Sequence, residues 1–162
     1  MGDSKDMNNK LYLFNPFIIK DKNEIELKNI YESVYNGLLE ECNTMYEYAH
    51  NIEVYSNLNY IIGEIIARLQ RDVIELETKI NIDTAITQTE ERKRWDTEVD
   101  GKPPAISYFQ ALATRFSQDD INRLADKKCS YMRFKNAYKS TEEKINALKK
   151  KMDAVKFETG VV

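Results

Sequence analysis

Met45, Tyr48, Ile52, Tyr55, Asn59, Ile62, Ile66, Leu69, Val73, Leu76 and Ile80 follow one another at alternating three- and four-residue steps, and only Asn59 among them is polar. A second series, Leu124, Lys127, Tyr131, Phe134, Tyr138, Thr141, Ile145, Leu148, Met152 and Val155, keeps the same rhythm and is broken only by Lys127 and Thr141. A heptad rhythm sustained this long belongs to helices that pack lengthwise. Two such helices joined by a polar stretch make a narrow, coiled-coil-like antiparallel hairpin whose apolar stripe is too exposed to stay alone. The expected fold is therefore all-α and oligomerising, with Ile62, Ile66, Leu69, Val73, Leu76, Ile145, Leu148 and Met152 expected at the contacts between subunits.

Little else in the chain competes with that reading. Five glycines and three prolines in 162 residues leave few places to interrupt a helix. The longest apolar run, around Tyr60 to Ile66, is cut by Gly63 and Glu64 and falls short of the ~20 residues of a membrane span. Met1 to Lys10 is polar and mixed in charge, unlike a signal peptide, so a cytoplasmic location is expected. Cys42 and Cys129 lack paired spacing and read as reduced thiols, and with His50 as the one histidine no metal ligand set is expected.

In chain order, Leu11 to Ile19 is apolar and aromatic, and Pro16 keeps it from being a regular helix. It reads as an extended tether. Residues 1–22 are thus expected to form a disordered leader and extended N-terminal segment, and residues 23–162 a single helical domain. A helix begins near Asn23, with Leu27, Ile30, Val34 and Leu38 as its stripe and Gly37 and Asn43 as the expected breaks. From about Thr44 a long helix runs toward Arg94, roughly 50 residues or on the order of 75 Å at ~1.5 Å per residue. Its seam fades after Ile80, and the polar segment beyond is expected to face solvent or a ligand. Trp95 to Pro104 reads as the loop that stops it. Ala105 to Phe116 suits a short capping helix. Ser117 with Asp120 resembles the cap of a last helix that ends near Phe157.

The modest net charge of -3 conceals a division along the chain. Up to Val54 there are ten acids against five lysines, whereas Asp126 to Lys156 holds ten bases against four acids. A basic face on an acidic protein is what nucleic acid responds to, and it is also what a solvated helix displays. No phosphate-binding glycine loop, nucleophile–histidine pair or metalloprotease motif is present, so neither an enzyme nor a cofactor is expected. Arg92, Lys93, Arg94 and Trp95 stand out, with Lys102 nearby. Cations beside an aromatic plane suit single-stranded nucleic acid. A basic helix end complementing the backbone dipole, with Trp95 packed as a hydrophobic stop, explains the same residues.

These residues carry a resemblance. Tyr46 to Ile61 (YEYAHNIEVYSNLNYI), the long helix after it, RKRWD leading to Gly101, and the closing KFETG resemble phage recombination mediators of the UvsY type. The family binds single-stranded DNA through a motif of the form Lys-Ala-Arg-Leu-Asp, followed by a glycine. Arg92, Lys93, Arg94, Trp95 and Asp96 match it position by position, which places Arg92 and Arg94 where the family's two DNA-contacting cations stand. The family's two tyrosines after the aspartate are replaced by Thr97 and Glu98, so either Trp95 supplies the aromatic or the DNA role is weaker here. The resemblance implies a ring-like homo-oligomer that binds single-stranded DNA and helps load a RecA-like recombinase in place of a single-strand-binding protein. The rival expectation is a structural or adaptor coiled-coil phage protein with no DNA binding.

Overall fold

The computed structural model describes residues 19–98 and 102–160, so the expectations for the leader and most of the apolar tether fall outside the described residues. The described residues form helices joined by short non-helical segments, without strands. The helices are α1 (Glu24–Tyr35), α2 (Met45–Glu98), α3 (Ile106–Phe116) and α4 (Gln118–Thr159), and the two long ones, α2 and α4, pack together. No described helix is long and apolar enough to cross a membrane. The residues fall into two compact units, one combining those up to Ile61 with those from Lys144 onward, the other spanning Ile62–Glu143.

In the first unit, helix starts are set by reciprocal caps. Asn23 Oδ1 accepts from Glu26 N at 2.9 Å while Glu26 Oε2 accepts from Asn23 N at 2.9 Å, a complete capping box ahead of α1. The same device opens α2, where Glu47 Oε2 accepts from the backbone of Asn43 and Thr44 at 2.8 Å and Thr44 Oγ1 accepts from Glu47 N at 3.3 Å. These backbone donors hold both glutamate carboxyls below the ordinary range. Between the helices, residues 36–44 turn around Asn51, which is buried. Its Oδ1 accepts from Leu39 N at 2.9 Å, and its Nδ2 donates to Leu39 O at 2.9 Å and reaches Cys42 Sγ at 3.0 Å. The break expected at Gly37 and Asn43 is therefore real, and a buried amide stitches it closed.

Ile19, Leu27, Val54, Leu58 and Ile61 form the core of this unit. On α2 the most buried row is Asn51, Val54, Leu58 and Ile61, whereas Tyr48, Ile52, Tyr55 and Asn59, the expected seam, are half-buried. The deeper row is the one that meets the turn, through Asn51 and through Val54 beside Gly37. A helix that must serve two neighbours buries the overlap most completely, and a single heptad series shows only one of them.

In the second unit the two long helices run antiparallel. Gly63 lies beside Tyr138, Asp72 binds Lys127 at 2.7 Å, Glu77 binds Lys128 at 2.6 Å and Lys79 binds Asp120, so α2 ascends as α4 descends. The break at Lys127 in the second series is explained by Asp72 across the seam. Leu124, Tyr131, Phe134, Tyr138 and Thr141 all lie half-buried, as their three- and four-residue steps require. Ser117 alone separates α3 from α4, and Asp120 is spent on Lys79 and Arg123. Ser117 thus stands directly before the last helix, where a cap is expected, while a reciprocal cap is seen at Thr44 and Glu47.

Two expectations about α2 need correction. The helix runs through Trp95 to Glu98, four residues past the expected stop, because Asp96, Thr97 and Glu98 all tolerate helix and the Thr97 hydroxyl turns back to the Lys93 and Arg94 carbonyls at 3.0 and 3.1 Å. Nor does the inner row end at Ile80. Thr84, Thr87, Gln88, Glu91 and Trp95 are half-buried at the same spacing, so the row continues in polar residues that hydrophobicity alone does not reveal.

A Cβ added at Gly63 would meet Tyr138 Cε2 at an ordinary 3.5 Å. Gly63→Ala is expected to raise stability by about 0.5–1 kcal/mol, the helix-propensity difference, as read from the urea midpoint. Asp120 provides a pH signature. Lys79, and behind it Arg123, hold its carboxyl below the ordinary range despite some opposing burial. A carboxyl lowered in the folded state stabilises above its unfolded pKa of about 3.9 and loses that contribution as pH falls through the folded value. Asp120→Asn is expected to flatten the decline of the urea midpoint between about pH 5 and the acid limit.

Candidate nucleic-acid interface

Arg92, Lys93, Arg94 and Trp95 occupy consecutive positions in the last turns of α2, so they are spread about 100° apart around the helix and do not form one patch. Arg92 and Lys93 are exposed, and among the described residues neither has a carboxylate within ion-pair range. Arg94 is committed: its Nε donates to Glu98 Oε2 at 2.9 Å, one turn on, which raises its already high pKa and keeps it cationic. Lys102 is exposed in the segment that leads to α3.

Trp95 points the other way. It is half-buried, with its ring edge-to-face with Tyr108 at 6.5 Å and 67°, and Tyr108 in turn meets Phe109 at 5.5 Å and 82°. Phe109 and Ala113 are buried, so this aromatic chain fastens α3 to the end of α2. The indole Nε1 is enclosed without an acceptor among the described residues. Of the aromatics on α3, Phe109 is core, while Tyr108 and Phe116 are largely exposed. Glu98 as the partner of Arg94 and Tyr108 as the neighbour of Trp95 are pairings that reasoning from sequence did not make. The four-residue step from Arg94 to Glu98 was a readable sign of the first, whereas nothing local announces the second.

The residues expected at subunit contacts are engaged within the chain: Ile62 and Leu69 are buried, and Ile66, Val73, Leu76, Ile145, Leu148 and Met152 are half-buried along the two long helices. Elsewhere, the described residues hold no group of histidine, cysteine and carboxylate side chains fit for a metal ion. Cys42, His50 and Asn51 come together at the 36–44 turn. His50 Nε2 lies 2.8 Å from Gly37 O, and burial together with the Glu47 charge pushes the Cys42 thiol up, so the group holds the turn and does not present a reactive thiolate.

The unsatisfied indole yields a prediction. Trp95→Phe keeps an aromatic against Tyr108 and removes the enclosed N–H, so its urea midpoint is expected to stay within about 1 kcal/mol of the parent or exceed it. Trp95→Ala, which removes the ring contact as well, is expected to cost about 2 kcal/mol or more. Comparison of the chain with protein-family models, with curated proteins and with solved structures finds no match.

Proposed function

We propose that this chain is a non-enzymatic, single-stranded-DNA-binding accessory protein of phage-type homologous recombination. In this reading it acts as a UvsY-like mediator that helps a RecA-like recombinase replace a single-strand-binding protein. The observation that carries the reading is the exposure of Arg92 and Lys93, two cations with no carboxylate in ion-pair range among the described residues, inside the stretch that resembles the family's DNA-binding motif. Cations already neutralised by neighbours have little to offer a phosphate, and these two are not. Lys102 adds a third exposed charge beyond the helix end. Arg94 stands in the family's second contact position, and its bond to Glu98 must open for it to take part. Trp95 serves the fold through Tyr108, so the base-stacking role falls to other groups or is weak, and backbone charge dominates. In a ring-like homo-oligomer the pair repeats in every subunit, and modest contacts gain by avidity.

A structural or adaptor coiled coil without DNA binding is the second reading. It is favoured by the apolar middle of the outer face of α2, where Ile74, Ile82 and Ile86 are exposed.

The two readings separate in an anisotropy titration of a labelled single strand at several salt concentrations. With each phosphate contact on a single strand contributing about 0.7 to the slope of log affinity against log salt, Arg92→Ala/Lys93→Ala is expected to lower the slope by about 1.4 and weaken binding, with helicity unchanged. Absence of binding by the parent protein at low salt would refute the DNA reading and leave the adaptor.

A further inference from the structure

Among the described residues, one face of α2 in the second unit has no packing partner, and its middle is apolar. Ile74, Thr78, Ile82, Ala85 and Thr89 lie within about 40° of one line along the helix, with Ile86 beside it, over about 22 Å. Ile74 and Ile82 are 53% exposed and Ile86 49%. Thr78 Oγ1 donates to Ile74 O at 2.8 Å and Thr89 Oγ1 to Ala85 O at 2.9 Å, so both hydroxyls are satisfied by the backbone one turn earlier. The charges flanking this stretch turn away from it: Glu77 to Lys128 and Lys79 to Asp120. Isoleucine and threonine are not what an exposed helix surface favours, since alanine, glutamate or lysine promote helix better at each position.

The ends of the stripe are charged, and their order identifies what covers it. At one end stand Arg71 and Glu75, both two-thirds exposed and joined only loosely at 3.7 Å; at the other stand Arg92, Lys93 and Asp96, all exposed. All five lie within about 60° of the stripe's line, with Arg92 on the edge away from Glu75 and Lys93. In a parallel pair of stripes each end meets its own copy, like charge against like. In an antiparallel pair centred on Thr84, Ile82 of one chain meets Ile86 of the other, Glu75 meets Lys93, and Arg71 lies opposite the Asp96–Thr97 step. Ala85, small, sits at the centre where the helices approach most closely.

We infer that the outer face of α2 from Arg71 to Asp96 docks antiparallel, about a two-fold axis, on the same face of a second copy of this chain. The interface is isologous, with an apolar centre and complementary charges at both ends. It lies on the opposite side of α2 from the heptad seam, which is taken up by α4. A helix pair of this length falls at the small end of stable interfaces, about 1,200 Å² in total, so association depends on concentration. The inference does not rest on the DNA-binding reading, and since Lys93 belongs to both, its test is read as mass without nucleic acid.

Sedimentation equilibrium of the full chain over a range of concentrations is the experiment. The parent is expected to gain mass with concentration, with a pair of chains as its smallest associated species. Ile82→Glu, at an exposed position where folding does not need the isoleucine, is expected to weaken association roughly tenfold or more. Glu75→Lys and Lys93→Glu are each expected to weaken it, and the combined Glu75→Lys/Lys93→Glu chain to recover it, because the exchanged charges again meet opposite partners. A parent that stays one chain at all concentrations, an assembly indifferent to Ile82→Glu, or a double variant no better than the singles would each overturn the inference.

Discussion

Everything distinctive in the second unit depends on the register between α2 and α4. Apolar side chains alone define that register weakly, because a seam of half-buried leucine, isoleucine and tyrosine packs nearly as well one turn up or down. The ion pairs Asp72–Lys127, Glu77–Lys128 and Lys79–Asp120 remove the degeneracy. Individually such surface pairs contribute little to stability. Their effect is selective: a one-turn slip separates all three at once, and Lys127, at a seam position, would then face apolar neighbours uncompensated. Position along the helices therefore decides where Trp95 falls relative to Tyr108, and thus how α3 is fastened.

The two units solve different problems with the same long helices. In the first, α2 carries a buried row toward α1 and the turn, and Asn51 supplies the hydrogen bonds that an irregular backbone segment needs when it is brought against a helix. In the second, α2 has α4 and α3 as partners, and its outer face is exposed among the described residues. A side chain's meaning thus depends on which stretch of α2 it occupies: Val54 and Leu58 are core, whereas Ile74 and Ile82, as apolar by composition, are surface.

How much of this was legible in the sequence follows from how local each cause is. The heptad series located both long helices, and every inner residue named on α4 is half-buried where the spacing put it. Gly37 and Asn43 marked the turn through ordinary turn chemistry. What escaped was non-local. The row at Asn51, Val54, Leu58 and Ile61 is one step round from the seam and gains its depth from the turn, which sequence spacing does not report. The polar continuation through Thr84, Gln88 and Glu91 is invisible to a search for apolar periodicity. The candidate site was only half legible: the RKRW cluster was plain, but its reading as one patch assumed that the helix stopped at Arg94. Once it continues to Glu98, Arg94 gains a partner and Trp95 turns inward, leaving Arg92 and Lys93 outside.

The inner row of α4 has a consequence for motion. None of its members between Leu124 and Val155 is fully buried, and the deepest side chains of both units belong to other elements or to α2. A helix anchored by one or two deep residues comes away all at once when those are lost. One held by many shallow contacts of similar strength has no such keystone, so its detachment proceeds like a zipper, a turn at a time from an end. Amide protection along α4 should accordingly grade smoothly from its ends toward the middle, while α2 keeps sharp maxima around Leu58 to Ile62.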